Sequence, residues 1–165
     1  EDIYLEGNHD FNLKYVFPSV KVFKLSMQPV ECRCMNKKVY LAHGDFNAGL
    51  GYKIYTSIIR NKFVLLFLNF INIIFGNIVL SRLDEYLDKK DDCKEIKGFD
   101  EIIQNRLDNR FNCEYFIEGH FHQNKFIKFD KFNYFNLAAF ACNQRYFIVK
   151  SANEELFVEK QFSKG

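Results

Sequence analysis

The sequence predicts a layered α/β fold in which functional residues follow the ends of strands. Three features predict it: short strand segments towards both ends of the chain, a helical and strongly apolar middle, and Gly-containing turns after three of the strands. A length of 165 residues is enough for one domain with a hydrophobic core. The formal net charge of +2 gives no electrostatic reason to expect nucleic acid as a partner.

The first part of the chain has the pattern of short strands joined by turns. The segment "DIYLEGN" predicts the end of a buried strand at 3–5 that runs into a Gly-Asn turn. Alternating apolar and charged residues at 20–25 predict a half-buried strand. Two further strands are expected at 29–35 and 37–45, and the second of them ends in a Gly turn that carries His43.

The middle of the chain, residues 50–90, has a helical pattern dominated by the apolar run 63–80. The length of this run reaches the lower limit of a transmembrane helix. Asn69, Asn72 and Gly76 fall on one helical face, and amide groups that face lipid are costly. Three alternatives therefore stay open: a buried core helix, a helix that faces lipid or covers a substrate, and a membrane span.

The last part of the chain returns to strands after one more helix. The amphipathic segment 99–111 predicts a helix that packs back onto the fold. It precedes a strand within 113–122 that again ends in Gly and His. The segments "NKFIKFD", "FNYFNL", "RYFIVK" and "ELFVEK" then predict four short strands separated by turn residues.

The cysteines indicate free thiols. Their number is odd and no export signal stands in front of them, which predicts reduced side chains in a cytosolic compartment. The five residues concerned are Cys32, Cys34, Cys93, Cys113 and Cys142.

All four histidines lie in three Gly-containing turns. His9 belongs to "GNHD", His43 to "AHGD", and His120 and His122 to "EGHFH". Imidazoles and amide oxygens such as that of Asn8 suit divalent Mn, Fe or Zn. The two histidines of the third turn are two residues apart, so on an extended segment both project to one side. Because loops converge at one edge of a layered α/β sheet, we expect the three turns to meet there.

The motifs "GNHD", "HGD" and "GHFH", in this order, resemble the last three motifs of the calcineurin-like dinuclear metallophosphoesterases. The resemblance implies that Asn8, His43 and His120 bind one metal ion and that His122 binds the other. It implies that His9 stabilises the transition state or protonates the leaving oxygen. The implied cofactor is a pair of divalent metal ions, Mn²⁺ first, with Fe²⁺ or Zn²⁺ as alternatives.

The resemblance also implies an architecture, a layered α/β/β/α sandwich with a helical lid. The Asp-x-His and Gly-Asp-x-x-Asp motifs with which the family opens are not found here. The family pattern would place them before residue 1. Residues 1–165 are accordingly expected to form the C-terminal portion of one metallophosphoesterase domain, with the lid inserted at 50–112.

The long apolar insertion resembles the acyl-chain-binding lid of the UDP-2,3-diacylglucosamine diphosphatases of lipid A synthesis. This resemblance implies a lipid-linked nucleotide substrate and hydrolysis of its pyrophosphate to UMP and 2,3-diacylglucosamine 1-phosphate. It implies a cytoplasmic protein bound peripherally to the inner face of the bacterial inner membrane. Lys53, Arg60 and Arg82 are candidates for contact with the pyrophosphate or the sugar.

Two alternatives to this function stay open. The first is a metallophosphoesterase that acts on a soluble phosphomonoester or phosphodiester, with the 63–80 segment as a core helix. The second is a membrane-associated interaction protein that keeps a phosphoesterase-like shell without catalysis. Nothing in the sequence indicates the oligomeric state.

Overall fold

The chain is a mixed α/β protein that divides into two units. The main unit comprises Glu1–Asn47 and Cys93–Gly165, and the helical unit comprises Ala48–Asp92. A computed structural model describes residues 2–46, 49–89, 91, 93–107, 110–152 and 155–162.

The strands described all belong to the main unit. They are β1 (Ile3–Leu5), β2 (Lys21–Phe23), β3 (Val30–Cys34), β4 (Lys37–Ala42), β5 (Tyr115–Glu118), β6 (Lys125–Lys128), β7 (Asn133–Asn136), β8 (Arg145–Ala152) and β9 (Glu155–Phe162). Strands β1 and β2 form a parallel pair, and β8 and β9 form an antiparallel hairpin. The other five form one mixed sheet in the order β3-β4-β5-β7-β6. Each strand expected from the sequence pattern is present, although β1, which was expected to be buried, is exposed at Ile3 and half-buried at Tyr4 and Leu5.

The central strands of the mixed sheet run parallel, and this places two of the His-containing turns together. Strands β4, β5 and β7 are parallel, with Ala42 opposite Glu118 and Glu118 opposite Asn136. Their carboxyl ends therefore lie at one edge of the sheet. The turn after β4 begins at His43, and the turn after β5 begins at Gly119.

The helices are α1 (Leu50–Ile59), α2 (Lys62–Ile74), α3 (Ile78–Lys89), α4 (Phe99–Leu107) and α5 (Phe140–Asn143). The first three form the helical unit, and α4 and α5 belong to the main unit. The helical unit thus ends at Asp92, whereas the insertion expected from the sequence extends to 112. The difference arises because α4 packs on the main sheet.

The core lies mainly between α4 and the mixed sheet. Phe99, Ile103 and Leu107 recur every four residues on α4, so they share a face, and all three are buried. They cluster with Phe116 and Tyr134 of the central strands. A smaller cluster on the other face of the sheet contains Val39, Tyr115 and Ile117. Successive residues of a strand point to opposite faces, so β5 is buried on both sides.

The apolar run 63–80 forms two helices instead of one. It is broken after α2 by a turn in which Gly76 has φ 61° and Asn77 has φ 67°. Within α2, all of which is described, only Asn72 is buried. In the described part of the chain, no helix alone is long and apolar enough to cross a membrane. Together α1 and α2 pass that test, but they are bent by 57°.

The prediction that every cysteine is a free thiol is wrong for one pair. Cys93 and Cys142 form a disulfide that joins the segment before α4 to α5. Cys32, Cys34 and Cys113 are free thiols, as expected. Burial raises the pKa of the Cys113 thiol to about 11, so this side chain behaves as part of the core.

Candidate metal centre

The first Gly turn lies directly against the imidazole of His43. Gly7 follows β1 and is buried. A Cβ atom at Gly7 would lie 2.5 Å from Cε1 of His43, and closer still to its Nε2 and Cδ2 atoms. The backbone can approach the ring only because residue 7 has no side chain. This contact places "GNHD" next to "HGD", as the sequence predicts.

The second and third turns are equally close to each other. Gly44 has φ +130°, and a Cβ atom there would lie 2.7 Å from Cβ of His120. The Gly119 amide donates a hydrogen bond to the His43 carbonyl at 3.0 Å. The imidazole centroids of His43 and His120 are 5.1 Å apart. The expected convergence of the three turns is therefore confirmed.

The side chains that meet at this edge are His43, Asp45 and His120. Each offers one ligand atom, and these atoms all lie within 4.8 Å of one another. Asp45 is buried, and its Oδ1 atom lies 2.7 Å from Nδ1 of His43. A carboxylate at Nδ1 orients the ring and leaves Nε2 to act as the ligand. Asp45 is the last residue of "HGD", and no role was predicted for it from the sequence.

His120 is held as a neutral imidazole at physiological pH. Burial, together with a smaller contribution from the nearby His43, lowers its pKa to about 4. A neutral ring keeps a lone pair for a metal ion.

The third turn is not an extended segment as expected, because β5 ends at Glu118. His120 (φ 39°) and His122 (φ 56°) adopt left-handed conformations that cost energy for residues other than glycine, and such strain concentrates at functional sites.

The remaining expected site residues of the turns lie close by in sequence, and their burial differs. Asn8 is half-buried and His9 is exposed in the turn that follows Gly7. His122 is half-buried and its electrostatic interaction with His120 contributes to the low pKa of that ring. The structure thus assembles His43 and His120 of the expected ligand set into one donor group and adds Asp45 to it.

The basic candidates for substrate contact belong to the helical unit. Lys53 is exposed on α1, and Arg60 is the C-cap residue that follows α1. Arg82 is exposed on α3, where its Nη1 atom lies 3.2 Å from Oε2 of Glu85. Such an exposed ion pair within one helix contributes little to stability.

Buried amide side chains fix the backbone of the turns. The Nε2 atom of Gln28 donates to the Glu6 carbonyl at 2.7 Å, and its Oε1 atom accepts from the His43 amide at 2.6 Å. This side chain ties the first turn to the second. Asn136 donates to the Gly119 carbonyl at 2.7 Å and so supports the third turn. Neither residue lies in a motif, so the sequence gave no signal for them.

The donor set fits the metal ions that the motifs imply. Two imidazoles and one carboxylate, brought together at a partly buried edge, suit borderline divalent ions such as Mn²⁺, Fe²⁺ and Zn²⁺. Comparison with known proteins gives no match to a family model or to a curated protein. The case for a metal centre therefore depends on the sequence motifs and on the geometry of the three turns.

Proposed function

We propose that this protein is a metal-dependent phosphoesterase of the calcineurin-like type, with a layered α/β/β/α main unit. The observation that carries the proposal is the convergence of three Gly turns on the donor group of His43, Asp45 and His120. A structural role for these histidines would not require three strands to end at one point. A purely structural role would also not require a glycine at position 7, where a side chain would clash with the imidazole of His43.

The residues of the site have distinct roles in this proposal. Asn8, His43, His120 and His122 hold two divalent ions, for which Mn²⁺ is the first candidate. When bound, these ions polarise a phosphoryl group and make an attacking water more acidic. Asp45 orients the His43 ring through its contact with Nδ1 and belongs to the same donor group. His9 is exposed and so can meet a substrate, where its imidazole protonates the leaving oxygen.

The substrate that we propose is UDP-2,3-diacylglucosamine, whose pyrophosphate is hydrolysed to UMP and 2,3-diacylglucosamine 1-phosphate. Support comes from the helical unit, in which large apolar side chains face solvent. On α2 the exposed fractions are 79% for Phe63, 61% for Phe67 and 70% for Ile73. Exposed apolar side chains in such number need an apolar environment, which acyl chains supply.

The same surface is the basis for a proposed location at the cytoplasmic face of the bacterial inner membrane. Apolar side chains of α2 and α3 are exposed, and charged residues flank them at Lys53, Arg60, Lys62 and Arg82. An apolar surface bordered by cations binds an anionic bilayer peripherally, by burial of its apolar groups and by attraction to the headgroups.

The function is tested with the product of the full natural reading frame, loaded with Mn²⁺ and incubated with UDP-2,3-diacylglucosamine. Metal-dependent release of UMP is the expected result. Cleavage of a generic aryl phosphodiester without release of UMP would retain the phosphoesterase and reject the lipid substrate. Failure with both substrates would favour a non-catalytic protein.

The proposed roles of the histidines are tested separately. His9→Ala should suppress turnover and leave the metal content unchanged, since His9 protonates and does not bind a metal ion. His122→Ala should reduce both. Metal content is measured by atomic absorption after dialysis, and equal loss of metal in the two variants would contradict the division of roles.

Membrane binding is tested by co-sedimentation with vesicles that contain anionic lipid. Phe70→Ser removes an exposed aromatic ring of α2 and should weaken binding severalfold, because the ring is 59% exposed. Tyr15→Ser is the matched control, because it removes a 90% exposed aromatic ring from the main unit. Equal binding by the two variants would refute the proposed role of α2.

A further inference from the structure

A half-buried arginine of α4 contacts both turns that supply the metal ligands. The Nη1 atom of Arg106 donates to the carbonyl of Gly44, between His43 and Asp45, at 2.8 Å. Its Nη2 atom donates to Oε1 of Glu118, two residues before His120. Only 14% of the Arg106 side chain is exposed.

The guanidinium is held in one orientation by its surroundings. Its Cζ atom lies 5.3 Å from the ring centroid of Phe46 and 5.1 Å from that of Phe121. These cation–π contacts come from the residue that follows the second turn and from a residue within the third turn. The planar fork of arginine fixes the spacing between the groups that its two terminal nitrogens contact, which a lysine ammonium does not.

The partner of Arg106 is a carboxylate with no exposed surface. The Oε1 atom of Glu118 also accepts a hydrogen bond from the Tyr134 hydroxyl at 2.6 Å. The Oε2 atom is buried, and no donor for it is found among the described residues. This oxygen lies 3.6 Å from the position that a Cβ atom on Gly44 would occupy, so it faces the second turn. Burial raises the pKa of Glu118, while the Arg106 charge and the Tyr134 hydroxyl oppose that shift.

Stability alone does not account for this pair. A buried ion pair is often replaced by apolar side chains of similar volume without loss of stability. A buried carboxylate with one unpartnered oxygen is an even weaker source of stability. What the pair does provide is a fixed distance between the backbone of the second turn and the end of β5.

We propose that Arg106, held by Glu118, is a positioning residue that fixes the spacing of the His43 and His120 turns and so determines the affinity of the metal centre. The inference deepens the proposed function and rests on it. Side chains that orient metal ligands typically change metal affinity by about 10–100-fold when they are replaced.

The test is a titration with Co²⁺ of the full natural reading frame, in which visible absorption reports both affinity and ligand geometry. Arg106→Lys keeps the charge but cannot contact both turns, and should weaken Co²⁺ binding by about 10–100-fold. Arg110→Lys is the matched control, because Arg110 is exposed just beyond α4. It should leave the affinity unchanged.

A second variant separates positioning from folding. The double replacement of Arg106 by Met and Glu118 by Leu removes both charges, and urea denaturation should show a cooperatively folded protein with a midpoint below that of wild type, because the Tyr134 hydroxyl and the Gly44 carbonyl lose their partners. The expected result is that its Co²⁺ affinity stays as low as that of Arg106→Lys. Wild-type affinity in either variant would overturn the inference alone. Failure of the wild-type protein to bind Co²⁺ would overturn the proposed function and the inference with it.

Discussion

The contact between Gly7 and His43 gives the sharpest test of the convergence of the turns. In Gly7→Ala the new Cβ would lie 2.5 Å from Cε1 of His43 and closer to two other ring atoms. An ordinary contact requires about 3.5 Å, so the ring or the backbone must move by about 1 Å. Overpacking of this kind costs about 1–3 kcal/mol. For a chain of this size that cost lowers the melting temperature by about 2–4 °C per kcal/mol, measured by calorimetry.

Two controls test whether the cost of Gly7→Ala comes from the contact with His43. Gly119→Ala places a Cβ atom 3.7 Å from the His43 carbonyl, an ordinary contact, so it should be tolerated. The second control is a double-mutant cycle with His43→Ala. Once the ring is removed, Gly7→Ala should cost almost nothing, because the two residues share one contact. If Gly7→Ala costs the same with and without the imidazole, the first turn does not lie against His43.

Three further predictions concern the site and the helical unit. Asp45→Asn should weaken Co²⁺ binding at least about tenfold, because His43 loses the carboxylate that orients it; unchanged affinity in a titration would contradict this role. In metal-free protein the pKa of His120 lies near 4, below its unfolded value of 6.5, so the unfolded state binds more protons between these values. Stability should therefore fall as the pH drops through this window, and the urea midpoint of His120→Asn should depend less on pH than that of wild type. Asn72→Ala should cost about 1–3 kcal/mol in urea unfolding because Asn77 and the Leu80 amide lose their partner, whereas exposed Asn69→Ala should cost almost nothing.

The strands and the convergence of the histidines were predictable because their signals are local. Alternation with a period of two marks β2, and a glycine after an apolar strand marks the ends of β1 and β5. Once β4 and β5 are parallel neighbours, their carboxyl ends must share an edge, so His43 and His120 meet. The buried face of α4 also followed from its helical spacing.

The supporting contacts of the site were not predictable, because their partners are distant in sequence. Gln28 contacts the His43 amide fifteen residues away, and Arg106 contacts the Gly44 carbonyl across 62 residues. Glutamine and arginine are common surface residues, and only their burial in the folded chain reveals a role. Pairing of Cys93 with Cys142, 49 residues apart, likewise depends on the fold and not on any local pattern.

Asn72 of the apolar run makes hydrogen bonds across the turn between α2 and α3, which a single straight helix would not allow. Asn72 was expected to share a helical face with Gly76, but Gly76 lies in the turn. The Asn72 side chain instead donates to Oδ1 of Asn77 and accepts from the Leu80 amide in the first turn of α3. The polar groups of the turn are thus satisfied inside the hairpin, while rings such as Phe70 point outward. This arrangement reverses that of a core hairpin, and it is the one that an apolar partner requires, since such a partner offers no hydrogen bonds to the backbone. The hydrogen bonds of Asn72 are therefore compatible with the proposed lipid ligand.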